Sequence, residues 1–411
     1  MVHDTGVPTV SAHDVEEARE LQRASGSVVV STPLQESRWL SGLADAPVWL
    51  KCENLQRTGS FKIRGAIVRM SRLSPEERAH GVVAASAGNH AQGVALAAQY
   101  LGIRATVFMP EGAPIPKEKA TRAYGAELRF HGHTVDEALT AAEAFTAETG
   151  AVLIHPFDHP DIVAGQGTCG LEILEQCPEV RTIVVPLGGG GLLAGIATAV
   201  KSARPDVQVI GVQAEKAAAY PGSLAAGKPQ PVKGMATMAD GIAVGCPGKV
   251  PFAGIQKYCD EVLTVSEESM STALLLLLER AKMVVEPAGA AGVAALLDRP
   301  GAFTGPVVPV LSGGNIDPLL LMRVIRHGMA AAGRYLSFRV RIPDLPGALA
   351  RLLAELANVE ANVLDVVHQR TSAQLHLDEV EVALQVETRG TEHREHVLRH
   401  LRSVGYPPEF G

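Results

Sequence analysis

Between residues 46 and 314, short apolar runs alternate with longer helix-like stretches. The runs are Pro47–Leu50, Val82–Ala85, Ala105–Met109, Ala151–His155, Thr182–Pro186, Val207–Val212 and Val307–Leu311. They are rich in Val and Ile and show little in/out alternation, as strands buried on both faces do. Between several of them lie the Ala- and Leu-rich segments Ala91–Leu101, Val135–Thr149 and Leu192–Ser202. This alternation predicts an α/β fold, with parallel sheet covered by helices. The pattern changes after Gly328. Gly328–Leu336 is small and apolar and reads as a hinge. Beyond it Ser337–Ile342 reads as a strand, Asp344–Gly347 as a turn, and Ala348–Ala357 as a helix. Val363–His368 and Leu375–Glu387 read as strands and Glu392–Leu401 as a second helix. The order β-α-β-β-α, with room for a last short strand, predicts a small ferredoxin-like α+β domain.

Composition narrows the class without naming a chemistry. The 411 residues are 46% hydrophobic and 20% charged, enough apolar material for two or three domains. Asp plus Glu exceed Lys plus Arg, 44 to 37, which gives no electrostatic footprint for nucleic acid. The five cysteines form no C-x-x-C pair, which argues against a zinc site or disulfide framework and suits a reducing compartment. The N-terminus lacks the apolar core of a signal peptide, and the greasiest stretch, Leu274–Leu278, is too short to span a bilayer. A cytoplasmic protein is expected, with no membrane or nucleic-acid partner.

Four segments carry candidate chemistry. In Ser60–Ala66 (SFKIRGA), Lys62 is flanked by apolar residues, and desolvation there would lower its pKa and make the amine nucleophilic; a solvated surface lysine is the alternative. Ser86–His90 (SAGNH) follows the Val82–Ala85 strand, so its backbone N–H groups either favour an anion or simply start a helix. Gly188–Gly191, followed by Leu192, ends the strand Thr182–Pro186. Four glycines in succession are entropically expensive, but they let a backbone wrap a phosphate; a tight turn is the alternative. Ser312–Asn315 (SGGN) ends another apolar strand. Open parallel sheets bind ligands beyond the carboxyl ends of their strands, where three of the four segments fall.

These segments, with His155–Asp158, Ala164–Thr168, Ala239–Val244 and Val285–Gly289, resemble the pyridoxal-phosphate (PLP) dependent threonine dehydratases of the tryptophan-synthase-beta fold group. The resemblance implies fold type II: two open parallel-sheet subdomains with PLP in the cleft between them. The catalytic domain would span residues 1–330, with a smaller subdomain at roughly 73–155 inserted in the larger one. It also implies roles. Lys62 matches the Schiff-base lysine that later removes the α-proton, beside Phe61. Asn89 matches the partner of the cofactor's 3′-oxygen, and Gly188, Gly189, Gly190, Gly191 and Leu192 match the phosphate loop. Ser86, Gly88 and His90 match the grip on the substrate carboxylate, and Ser312 the residue facing the pyridine nitrogen. A hydroxyl at that nitrogen leaves it neutral and favours β-elimination over reactions that need a long-lived carbanion. The cofactor phosphate is the proton donor to the departing hydroxyl in such relatives.

The expected reaction converts L-threonine to 2-oxobutanoate and ammonia and feeds isoleucine biosynthesis. Alternatives are a serine dehydratase or serine racemase-like enzyme, a degradative threonine dehydratase, a β-replacement enzyme and an amino-acid sensor without catalysis. Racemases of this group carry Ser where this chain has Ala87, which argues against racemisation. Relatives with a divalent-metal site place ligands where this chain has Glu215, Ala219 and Pro221; the third is missing, so no metal is expected. Asp344-x-Pro346-Gly347-x-Leu349 followed by Ala361–Val363 is similar to an ACT regulatory domain, expected over residues 336–411. Asp344, Gly347 and Asn362 are its candidate residues for an amino-acid effector such as isoleucine, although such a turn is also ordinary helix-start chemistry. A homodimer or homotetramer is implied.

Overall fold

Val82–Ala85, Ala105–Met109 and Thr182–Pro186 are buried along their full length, which is possible only with helices on both faces of the sheet. A computed structural model describes residues 8–370, 376 and 378–410. It separates into two compact units, residues 1–321 and 322–411.

In the first unit the strands are β1 (Leu34–Glu36), β2 (Trp49–Lys51), β3 (Val82–Ala85), β4 (Ala105–Met109), β5 (Glu127–Phe130), β6 (Val152–Leu153), β7 (Thr182–Pro186), β8 (Gln208–Ala214), β9 (Glu261–Val265) and β10 (Val307–Pro309). Eight of them, β3 to β10, form two all-parallel four-stranded sheets, ordered β5-β4-β3-β6 and β10-β7-β8-β9. β1 and β2 pair antiparallel; Val48 bridges to Val307 in β10, and Lys51 to Val310 just past its end. Each sheet has its own apolar core. Ile63, Ile67, Val94 and Val107 belong to one, and Ile183, Leu193, Val209 and Val308 to the other. Full burial of one such side chain contributes about 1.5–3 kcal/mol.

Local sequence sets the helix ends. A Thr134/Glu137 capping box opens Val135–Thr149, and left-handed Gly150 closes it. β5 and β9 go unanticipated by the hydrophobic pattern because Glu127, Arg129, Glu261 and Thr264 break their apolar runs, as the solvated side of an edge strand allows.

In the second unit, β11 (Tyr335–Pro343), β12 (Asn362–Gln369) and β13 (Glu379–Glu387) form an antiparallel sheet ordered β11-β13-β12. Alternate residues Leu336, Phe338, Val340 and Ile342 meet Val380, Val382, Leu384 and Val386. The helices Ala348–Asn358 and Thr391–Ser403 add Leu352, Leu356, Val397 and Leu401 to this core. The last short strand is reduced to one bridge, Arg339 to Glu409. Leu375, expected to begin a strand, lies outside the described residues. The expected hinge needs correcting: Gly328–Ala331 is the last turn of the helix Pro318–Ala331. Three consecutive alanines favour helix, and the turn ends only near Gly333, at φ +66°.

Candidate active site

Lys62 is the first residue of the helix Lys62–Ser71, directly after Phe61. The segment before it is laced to the chain that leaves β10. The Phe61 N–H donates to the Ser312 carbonyl (3.2 Å), Ser60 bridges Gly313, and the Gly314 N–H donates to the Gly59 carbonyl (2.8 Å). Ser312 is buried. The Lys62 amine donates to the Pro156 carbonyl at 2.9 Å and lies 5.2 Å from the centre of the Phe61 ring. Burial drives its pKa down to about 8, against the pull of the Glu286 carboxylate.

Pro156 belongs to a turn that joins this amine to the glycine loop. His155 Nδ1 accepts from the Asp158 N–H (2.8 Å), and burial lowers the His155 pKa to about 4. The neighbouring Phe157 ring packs on Gly189, where a Cβ would stand 2.3 Å from ring carbon Cδ1. At Gly190, with φ +99°, a Cβ would meet the Tyr220 hydroxyl at 2.0 Å. The loop's carbonyls point away and are engaged: Tyr220 donates to Gly189 O (3.1 Å), and the Ala194 N–H to Gly190 O (2.9 Å). Among the described residues, the N–H groups of Gly188, Gly189 and Gly190 donate to no backbone carbonyl. They precede the helix Gly191–Ala203, which includes Leu192. Free N–H groups at a helix start form a cradle for an anion.

The turn Ser86–Gly88 leads from β3 into the helix Asn89–Leu101. Ser86 Oγ accepts from the Gly88 N–H at 3.1 Å. The N–H groups of Asn89, His90 and Ala91 donate to no backbone carbonyl among the described residues. The His90 ring is spent elsewhere: Nε2 lies 2.7 Å from Ile154 O. A carbonyl only accepts, so Nε2 carries the proton, and burial lowers the ring's pKa to about 3. His90 therefore offers its backbone, not its ring, to a ligand at this turn. Ala87 offers no hydroxyl.

Asn89 joins the two halves of the site. It donates from Nδ2 to Glu286 Oε1 (2.7 Å) and accepts at Oδ1 from Asn315 Nδ2 (2.8 Å). Asn315 also donates to the Thr58 carbonyl (2.6 Å), close to Lys62 in sequence. Burial, with the Asp240 carboxylate nearby, pushes the Glu286 pKa up to about 7, against Lys117, Asn89 and Lys62. Sequence reading gave Glu286 no role. Its one signal is a Glu before Pro287 where an apolar run hands over to a helix.

In the second unit Asp344 and Gly347 come together, lining a pocket of about 420 Å³ with Leu345, His368 and Arg370. Arg370 pairs with Asp344 at 3.2 Å. Asn362 is not brought there. It pairs across the sheet with Glu387, which faces Tyr335, whereas Asp344 follows Pro343 at the opposite end of β11. Where ligands were considered for a metal, Glu215 opens a short 3₁₀ turn, and Pro221 lies within the helix Ala219–Ala226.

Residues 27–313 match the family model described as "Pyridoxal-phosphate dependent enzyme". An L-threonine ammonia-lyase from Geobacter sulfurreducens is 50% identical over 376 residues, covering 91% of this chain and 94% of the relative. One from Thermotoga maritima is 47% identical over 392 residues, covering 95% and 98%. The solved structure of a T.th. threonine deaminase superimposes with a TM-score of 0.70 at 43% identity, over 75% of this chain and 99% of that one. The chain therefore belongs to the pyridoxal-phosphate-dependent enzymes, in the family that includes the L-threonine ammonia-lyases.

Proposed function

We propose that this chain is a PLP-dependent threonine ammonia-lyase that converts L-threonine to 2-oxobutanoate and ammonia. The observation that carries the reading is the contact chain linking a buried lysine amine, through Pro156 and Phe157, to a loop of free N–H groups, and through Glu286 to an asparagine amide. The donor set fits the cofactor. Lys62 would bond it covalently beside Phe61, and Asn89 would hold its 3′-oxygen. Gly188–Gly191 and Leu192 would cradle its phosphate, and the Ser312 hydroxyl would face its ring nitrogen. When bound, PLP supplies an electron sink for the substrate's Cα–H bonding pair.

The protein's own part is proton handling and positioning. With PLP bound, the Lys62 amine would be the base that takes the α-proton; its lowered pKa keeps a useful fraction unprotonated. The free N–H groups of Asn89 and His90 hold the carboxylate at this turn, while those of Ser86 and Gly88 are spent on Phe108 O and Ser86 Oγ; this points Cα–H at Lys62. Glu286 and Asn315 fix the orientation of the Asn89 amide. Ala87 leaves the second face of Cα without a proton donor, which favours elimination over racemisation. Release of 2-oxo acid and ammonia, compared for L-threonine and L-serine, tests the reading. One methyl group is worth about 1–3 kcal/mol, so a preference of 10-fold or more for threonine by kcat/KM is expected. No 2-oxo acid from either substrate would refute it.

Two further outcomes follow from the site. Gly190→Ala places a Cβ at a positive φ, costing roughly 1–2 kcal/mol before the collision with Tyr220. Titration of the apoprotein with PLP should show affinity reduced at least about 10-fold. Cofactor loading should also follow the neutral fraction of Lys62. With a pKa of about 8, roughly a quarter of the amine is neutral at pH 7.5, against about a thousandth for an ordinary lysine. The loading rate should rise through pH 8 and level off above it; a rise continuing past pH 10 would contradict this.

The product would feed isoleucine biosynthesis in a cytoplasmic, homo-oligomeric enzyme. The second unit would act as an ACT-type regulatory domain that takes a branched-chain amino acid such as isoleucine at Asp344 and Gly347. Its β-α-β-β-α order and the pocket at the Asp344–Gly347 turn support this. Asn362 would contribute only through a second copy of the domain. Initial rates that stay flat across a wide isoleucine titration would dismiss inhibition by that ligand.

A further inference from the structure

We infer that Lys117 is a substrate-recognition residue whose ammonium meets the carboxylate of the incoming amino acid at the Ser86–His90 turn. The inference rests on the reading of that turn as the carboxylate grip.

Lys117 lies on the helix Ile115–Ala123, which connects β4 to β5 in the sheet that also holds β3. Its Nζ stands 3.8 Å from the position a Gly88 Cβ would occupy. Gly88 is the residue from which the helix Asn89–Leu101 departs, and the N–H groups of Asn89 and His90 are free there. An ammonium and a set of free N–H donors thus approach one small volume from two elements. Both favour an anion, and an α-amino acid brings one in its carboxylate.

The present partner of Lys117 is Asp240 Oδ2, at 2.7 Å, on the short turn Asp240–Ile242. The two partners are unequally placed. The Lys117 side chain is 11% exposed, whereas that of Asp240 is 56% exposed. A pair with one member mostly in water is weakly held, so a carboxylate arriving inside the cleft can displace Asp240 at little cost. The exchange also answers a charge problem: Asp240 and Glu286 both act on this region, and each repels an incoming carboxylate. Lys117 offsets them. Asp240 then acts as a competitor for the ammonium that keeps it ordered while no substrate is bound.

This arrangement is distinguishable from a simple latch across the cleft, because the two partners have opposite effects. In the holoenzyme, Lys117→Met should raise KM for L-threonine about 10-fold, the value of a charge-assisted contact, with kcat changed no more than about twofold. Asp240→Asn should leave KM unchanged or lower it. Competitive inhibition by 1-amino-2-propanol, which is threonine without its carboxylate, should be equal in all three proteins. Equal rises in KM for Lys117→Met and Asp240→Asn would show a latch and overturn the inference. So would an unchanged KM in Lys117→Met, or a loss of amine binding that parallels the loss of threonine binding. Gly88→Val, whose side chain would fill the open volume between Gly88 and Lys117 Nζ, separates the underlying reading: if it leaves the preference for threonine over the amine intact, the carboxylate grip itself has been misplaced, whatever Lys117 does.

Discussion

Replacing Lys62 with Ala should leave a folded protein that has lost covalent cofactor attachment and, with it, at least about 10³-fold in threonine turnover. One residue serves twice in the proposed reaction, as the covalent anchor and as the base at Cα. General-base removal alone typically costs about 10²–10⁴-fold. The fold should survive because the Lys62 side chain makes a single hydrogen bond, to the Pro156 carbonyl. Truncation also removes a buried amine that desolvation already disfavours in its charged form. Three measurements check this: the visible absorbance of the bound cofactor, the far-UV circular dichroism, and the rate of 2-oxo acid release. Wild-type turnover by this variant would remove Lys62 from the chemistry.

Arg64→Met should have the largest effect on stability, about 3–5 kcal/mol. Arg64 is fully buried two residues beyond Lys62 on the same helix. Its guanidinium donates to Glu53 through Nε (2.7 Å) and Nη2 (2.8 Å). It donates to Glu172 through Nη1 (2.7 Å) and to the Thr168 hydroxyl (3.1 Å). Lys51, also buried, donates to Glu172 at 2.6 Å. Two cations thus balance two carboxylates. Burial alone would raise the Glu53 pKa, but the guanidinium outweighs it and holds that carboxyl below its usual range. Methionine fills the space but leaves Glu53 and Glu172 facing Lys51 alone, so one carboxylate is uncompensated. Chemical denaturation should show the midpoint falling while the slope stays constant. A variant as stable as the parent would mean that the cluster is held by packing alone.

Why part of this molecule was legible in its sequence and part was not comes down to what each residue touches. β3, β4 and β7 were found with their observed bounds because strands covered on both faces must be continuous apolar runs. β5 reads Glu-Leu-Arg-Phe and hides, since an edge strand has water on one side. Asn89, the glycine loop and Ser312 stood out through recurrence, as glycine-rich or Ser/Asn turns after apolar strands; Lys62 did not stand out on its own segment and gained its role only through them and the family resemblance. Glu286, Asp240 and Lys117 were silent because each matters through a partner far away in the chain. Glu286 meets Asn89 across 197 positions, and Lys117 meets Asp240 across 123. Arg64 was visible in its motif but had no assigned role, because a lone Arg gives no sign that two carboxylates will close around it. Asn362 shows a different limit: it was grouped with Asp344 and Gly347 only by resemblance to ACT domains, and within one copy the strand pairing places it at the opposite end of the sheet from them.

The glycine loop has one more consequence, for how the enzyme would lose its cofactor. In the proposed reading the phosphate is held by backbone amides, and an amide has no pKa in the working range of a protein. No acetylation or oxidation can switch such a grip off; the group that titrates there is the phosphate itself, with a second pKa of about 6. The anchor at Lys62 is the opposite kind of attachment, a reversible covalent bond on a titrating amine. Cofactor release on acidification would therefore proceed in two stages, with hydrolysis at Lys62 first and slower escape of a still phosphate-bound cofactor after it. A protein whose colour had changed would for a time remain fully loaded, and returning it to neutral pH would restore activity without added PLP.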